Sequence, residues 1–116
     1  MRGTGAIKFG GPEALQVVDL HDVHAAAGEV RIRVRAATVN PTDTGLRSGT
    51  RAAAVQDVQP QYIPGMGSAG VIDAVGAGTE TELDIGDEVS AMVIPRASHG
   101  AYRESLVLAA DSVVQA

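Results

Sequence analysis

A mainly β domain of short strands closing toward a partly open barrel is the fold class this sequence predicts, and three observations carry it. Residues 29–40, "EVRIRVRAATVN", alternate without a break: Val30, Ile32, Val34 and Ala36 share one face, and Arg31, Arg33 and Arg35 the other. That period of two marks a half-buried strand. Hydrophobic residues make up 45% of the chain, yet only Phe9, Tyr62 and Tyr102 are aromatic. A core of small and β-branched side chains suits pleated strands better than large helices. Glycine-bearing turns separate the short apolar runs, as in sandwiches and barrels. The 116 residues suffice for one domain with its own core, so residues 1–116 are read as a single domain.

The elements follow in order. "AIKF" (6–9) and "LQVVDL" (15–20) flank "GGPE" and read as a hairpin-like pair, with glycine and proline supplying the turn. "DLHDVHAAAGE" (19–29) is a polar loop, and 29–40 is the alternating strand, its three arginines a solvated face. "NPTDTGLRSG" (40–49) opens on Pro41 and closes on Gly49, which fits a short helical turn capped by Asn40 or Thr42. "TRAAAVQDVQPQ" (50–61) reads as a brief helix or a loop, in which "RAAAV" forms either a lid or an ordinary surface turn. "AGVIDAVGAG" (69–78) is a strand entering a glycine turn. "LDIGDEVSAMVI" (83–94) is a tight turn at Gly86-Asp87 and then a strand, and "GAYRESLVLA" (100–109) is another strand.

Composition excludes several function classes. The net charge of −5, without a basic cluster, speaks against nucleic acid and anionic membrane surfaces as partners. The absence of cysteine removes disulfides, thiolate zinc sites and cysteine nucleophiles, and it fits a reducing cytoplasm. No apolar run approaches the roughly 20 residues needed to span a bilayer, and the first 20 residues carry no signal-peptide core.

"GMGSAG" (65–70) matches G-x-G-x-x-G letter for letter. A dinucleotide site needs a strand before this loop and a helix after it, because the helix N-terminus binds the pyrophosphate. Here the proline-flanked "PQYIP" precedes, and the β-branched "VIDAVGAG" follows. The context is wrong for a nucleotide loop. The glycines are expected instead to permit a tight turn and close backbone approach.

Five segments in this order, "FGGPEALQVVDL", "GEVRIRVRAATVNPTD", "PGMGSAGVIDAVGAGT", "IGDEV" and "GAYRE", resemble the N-terminal GroES-like domain of the medium-chain dehydrogenase/reductase superfamily. Within it they are most similar to the zinc-independent quinone oxidoreductases, relatives of zeta-crystallin. The resemblance covers about residues 6–115 and implies a GroES-like, partly open β-barrel with short helical turns. In zinc-dependent relatives a Cys stands where this chain has Asn40, and a His-Glu pair where it has Met66-Gly67. The resemblance therefore implies no metal site. It also departs from the family: members often carry an acidic residue after "PGM", where this chain has Gly67 and Ser68.

The resemblance implies hydride transfer from NADPH to a quinone or an enone in the cytoplasm. It implies Asn40 beside the nicotinamide and the acceptor carbonyl, with Thr42 and Asp43 as further catalytic residues, and Tyr62 and Met66 on the substrate side. An amide can donate to an oxygen that gains negative charge while staying neutral itself. The residues alone equally allow Asn40 and Asp43 simply to cap the turn, and Tyr62 simply to lie against the barrel. The family's Rossmann cofactor domain is expected outside these 116 residues, supplied in cis or in trans, and self-association is expected of the apolar wall it covers. A stand-alone binding or protein-interaction domain derived from the family is the alternative. His21 and His24, three apart between Asp19 and Asp22, are read as surface residues rather than a metal site, and His99 as a turn residue.

Overall fold

A computed structural model of the chain describes residues 1–49, 61–93 and 100–116. Strands β1 (Arg2–Gly5) and β2 (Gln16–Asp19) form an antiparallel pair. Strands β3 (Glu29–Ala37), β4 (Gly67–Val75), β5 (Glu88–Met92), β6 (Ser105–Ala109) and β7 (Val113–Gln115) form a five-stranded sheet in the order β6-β3-β4-β5-β7. Every neighbouring pair in it is antiparallel. The one α-helix among the described residues, α1 (Pro41–Ser48), follows β3.

The pairing of β3 with β4 slips between Arg31 and Ile32 and again between Val34 and Ala36. Such bulges bend a strand and increase its twist. The sheet accordingly curls into a half-barrel, the mainly β architecture the sequence predicts. Its concave core joins Val30, Ile32, Ile72, Val89, Ala91, Ala110 and Val113. Val30 and Ile32 are fully buried, Val34 is half-buried and Ala36 is exposed, so the inward face of β3 fades toward α1. On its other face Arg33 and Arg35 are exposed as expected. Arg31 is not part of a solvated face. It is half-buried, with Nε 2.7 Å from Asp73 Oδ1 and Nη1 donating to the Val23 carbonyl at 3.0 Å.

The N-terminal hairpin exists, but its first strand is Arg2–Gly5 rather than residues 6–9. Glycine lowers the strand signal of "RGTG", yet these glycines let the strand lie against the rest of the barrel. A Cβ at Gly3 would stand 2.9 Å from the Tyr102 carbonyl, and one at Gly5 2.7 Å from that of Tyr62. Residues 6–15 form the connection, with a 3₁₀ turn at Pro12–Ala14. The short β7 carries no pattern long enough to read and exists through its pairing with β5. The turn at Gly86 is as expected, with φ +96°.

Candidate functional site

β3 delivers the chain to the start of α1, where four backbone segments converge. Pro41 stands in the first turn of α1, where its missing N–H costs nothing. Asn40 is the N-cap, in extended conformation, and its carbonyl accepts from the Asp43 N–H at 2.9 Å. Asp43 returns the bond: its Oδ2 accepts from the Asn40 N–H at 2.7 Å. The Asp43 carboxylate is 4% exposed, and its Oδ1 accepts from the Gly65 N–H at 2.8 Å. One buried acid thus ties the helix start to the "PGM" segment.

Gly65 carries φ +115°, and a Cβ there would lie 2.7 Å from Ala101 N and 2.9 Å from Tyr102 Cδ1. Only glycine lets those segments meet. The Gly65 carbonyl accepts from the Ala101 N–H at 3.0 Å, and the Pro64 carbonyl from the Tyr102 N–H at 3.1 Å. The Tyr102 hydroxyl donates to the Thr38 carbonyl at 3.0 Å and stands 3.5 Å from Asp43 Oδ2. Burial first, then the charge of Asp43 and its hydrogen bond, hold the phenol above its ordinary pKa. The Thr38 hydroxyl donates to Asn40 Oδ1 at 2.8 Å. Thr38, Asn40, Asp43 and Tyr102 therefore form a ring of polar contacts around the N-terminus of α1.

The ring leaves the Asn40 side-chain amide as its uncommitted donor. Asn40 is half-buried and lines an open groove of about 590 Å³ with Val39, Pro41, Thr44, Gly45 and Ser48. Beside it, Thr38 and Gly67 enter a second groove of about 630 Å³ across β3, β4, β5 and the β7 end, walled by Ala69, Ser90, Met92 and Val114. Thr42 is half-buried on the first turn of α1 and stands outside the ring. Met66 is half-buried, and its carbonyl accepts from the Val93 N–H. Tyr62 stacks on Phe9, with ring centroids 4.9 Å apart and planes 17° from parallel, and its backbone bridges to Ala6. Sequence reasoning takes Gly65 only as a glycine of a tight turn and close backbone approach, and it does not single out Thr38 or Tyr102. The clue was the "GAY" glycine: a Cβ at Gly100 would come within 2.1 Å of both the Ile63 and Pro64 carbonyls.

The glycine motif does not form a phosphate loop. The Gly65 N–H is taken by Asp43, and Gly67 onward is β4, paired on both sides. A Cβ at Gly70 would sit 2.1 Å from the Arg33 carbonyl. These residues do not fit a dinucleotide pyrophosphate. Among the described residues no group of three or more His, Cys, Asp or Glu side chains could hold a metal ion. His21 and His24 are both exposed. His99 and the "RAAAV" stretch lie outside the described residues.

A curled antiparallel half-barrel with a capped helix after its long strand defines a GroES-like class of domain. The profile of the alcohol dehydrogenase GroES-like domain matches residues 26–116, and the chain belongs to that family. Its curated relatives are quinone oxidoreductases, as the resemblance implied. The Pseudomonas aeruginosa protein is 38% identical over 108 residues, covering 91% of this chain and 30% of that protein. The Sus scrofa protein is 34% identical over 114 residues, covering 97% and 32%. Among solved structures, the Coxiella burnetii quinone oxidoreductase superposes with a TM-score of 0.87 at 25% identity, over 99% of this chain and 36% of that one. The Escherichia coli quinone oxidoreductase complexed with NADPH superposes with a TM-score of 0.79 at 27% identity, over 99% and 33%. The chain spans about a third of the length of the curated relatives it matches.

Proposed function

We propose that the chain is the substrate-side domain of a zinc-independent, NADPH-dependent quinone or enone oxidoreductase. The relatives support the reaction class, and NADPH in the Escherichia coli neighbour supports the cofactor. Bound NADPH supplies the hydride, and the protein orients and polarises the acceptor. The glycine motif here is strand, so the dinucleotide belongs to a Rossmann domain supplied in cis or in trans. The observation that carries the reading is the uncommitted Asn40 amide at the groove rim, held by Thr38 and Asp43. Asn40 donates to the acceptor oxygen as that oxygen gains charge, and its neutrality keeps the ground-state carbonyl weakly bound. Asp43 acts through Asn40, since both of its oxygens are engaged. Asn at this position and Met66-Gly67 nearby are poor ligands for zinc, which supports a zinc-free reaction. A cytoplasmic location and self-association go with this reading, and a monodisperse monomer in light scattering removes the latter.

The test is a chimera in which this chain replaces the matching N-terminal part of the Pseudomonas aeruginosa quinone oxidoreductase. NADPH oxidation by a quinone is expected, and Asn40→Ala should lower kcat/KM on the order of a hundredfold, the loss of one oxyanion donor. A folded chimera that turns over equally well with Asn40→Ala overturns the role given to Asn40.

A further inference from the structure

We infer that Tyr102 is a positioning residue that fixes the Asn40 side-chain amide through Thr38. The inference rests on the proposed role of Asn40 and adds the device that aims it. Three contacts carry the device. The Tyr102 hydroxyl donates to the Thr38 carbonyl at 3.0 Å. The Thr38 hydroxyl donates to Asn40 Oδ1 at 2.8 Å. The Thr38 N–H donates to the Gly67 carbonyl at 3.0 Å. Thr38 is thus held at its carbonyl by Tyr102 and at its amide by β4, and its side chain grips Asn40.

β3 is paired with β4 as far as Ala37, opposite Ser68, and beyond that point these ties hold the segment. Residues 36–39 are exposed, and Val39 is 79% exposed. Packing therefore does not fix the backbone on which Asn40 stands. An amide that stabilises a developing charge must be held before the charge appears. Its backbone is pinned by Asp43, and its side-chain oxygen faces the Asp43 N–H in the capping box and accepts from the Thr38 hydroxyl at 2.8 Å. Tyr102 reaches across 64 positions of sequence to keep Thr38 in place. Its ring is itself seated: it lies against Gly65, where a Cβ would come within 2.9 Å of Cδ1. Removing only the hydroxyl leaves that seat intact.

The chain has one asparagine, so labelling with ¹⁵N-asparagine gives a single side-chain NH₂ pair in the nuclear magnetic resonance spectrum. The experiment compares that pair in the 116-residue chain and in Tyr102→Phe. In the native chain the two protons should be separate and the order parameter near the rigid value of about 0.85. In Tyr102→Phe it should fall toward the flexible range below about 0.6, with the backbone spectrum preserved. An unchanged Asn40 pair in folded Tyr102→Phe overturns the inference. If Tyr102→Phe does not fold, Thr38→Val decides, because it cuts the last link of the same chain: an unchanged Asn40 order parameter there overturns it equally. A purely structural role for Tyr102 would lower the melting temperature and leave the Asn40 pair rigid. The readout involves no turnover, so it stands or falls apart from the assignment of Asn40 to the acceptor oxygen.

Discussion

Replacing Asp43 by alanine tests the buried carboxylate on which the site is built. The carboxylate accepts from two backbone amides, Gly65 N–H at 2.8 Å and Asn40 N–H at 2.7 Å. Gly65 is buried, and its N–H would be left unsatisfied at a cost of about 1–3 kcal/mol. Losing the acid from the first turn of α1 removes roughly another 0.5–1 kcal/mol of capping and dipole interaction. The two effects together give about 1.5–4 kcal/mol, a large share of the ~5–15 kcal/mol that holds a domain folded. At about 2.1 cal/mol/K of unfolding entropy per residue, each kcal/mol shifts the melting temperature of this chain by about 4 °C. Asp43→Ala should therefore melt about 6–16 °C lower, followed by far-ultraviolet circular dichroism. Asp43→Asn keeps one acceptor oxygen in the same shape, which can serve Gly65, and should recover about half of the loss. A shift below about 2 °C for Asp43→Ala would refute the reasoning, because it would mean that the Gly65 amide finds water or another acceptor at no cost.

Three other perturbations follow from the same geometry. Gly70→Ala places a Cβ 2.1 Å from the Arg33 carbonyl and 2.9 Å from Ile32 Cγ2, so β3 and β4 must separate. A loss of about 1–3 kcal/mol or more is expected in urea unfolding, and a stable variant would show that the strands part freely. Burial and then Asp43 raise the Tyr102 pKa. The unfolded chain gives up that proton near the ordinary pH of about 10, so stability is intact below that pH and falls as pH rises through the folded value. Tyr102→Phe should flatten this alkaline loss, and identical pH–melting curves for the two proteins would count against it. Titration of the chain with NADPH, followed by the cofactor's own fluorescence, should show no saturable binding in the micromolar range. Saturation there would place a nucleotide site on this chain and overturn the division of labour between domains.

The parts of the fold legible in the sequence are those governed by local periodicity. The alternation read over residues 29–40 marked β3, which ends at Ala37, because one buried face demands every second side chain be apolar. Asn40-Pro41 before a polar run marked α1, because cap and first-turn preferences act within one turn. What escaped depends on partners far along the chain. Strand Arg2–Gly5 is glycine-rich and exists through its pairing with β2 and its fit against Tyr62 and Tyr102. The site was half legible for the same reason. Asn40 and Asp43 lie within one cap motif. Gly65 and Tyr102 join Asp43 through contacts spanning 22 and 59 positions, and Tyr102 reaches Thr38 across 64, and no short-range period encodes those.

The glycines of "GMGSAG" show why spacing alone misleads. A glycine is required wherever another atom occupies the space of a Cβ, whether that atom is a phosphate oxygen or a backbone carbonyl. At Gly70 it is the Arg33 carbonyl, at Gly65 the Ala101 amide and the Tyr102 ring, and at Gly67 the Thr38 hydroxyl 2.6 Å away. The same letters therefore satisfy a nucleotide loop and a tightly paired strand. The residues that follow decide between them. "VIDAV" favours extended backbone, which places Gly67 and Gly70 in strand pairing, leaves the Gly65 amide to Asp43 and leaves no helix N-terminus for an anion. The two of these glycines that touch Tyr102 and Thr38 thereby let the groups that hold Asn40 come close enough to do so.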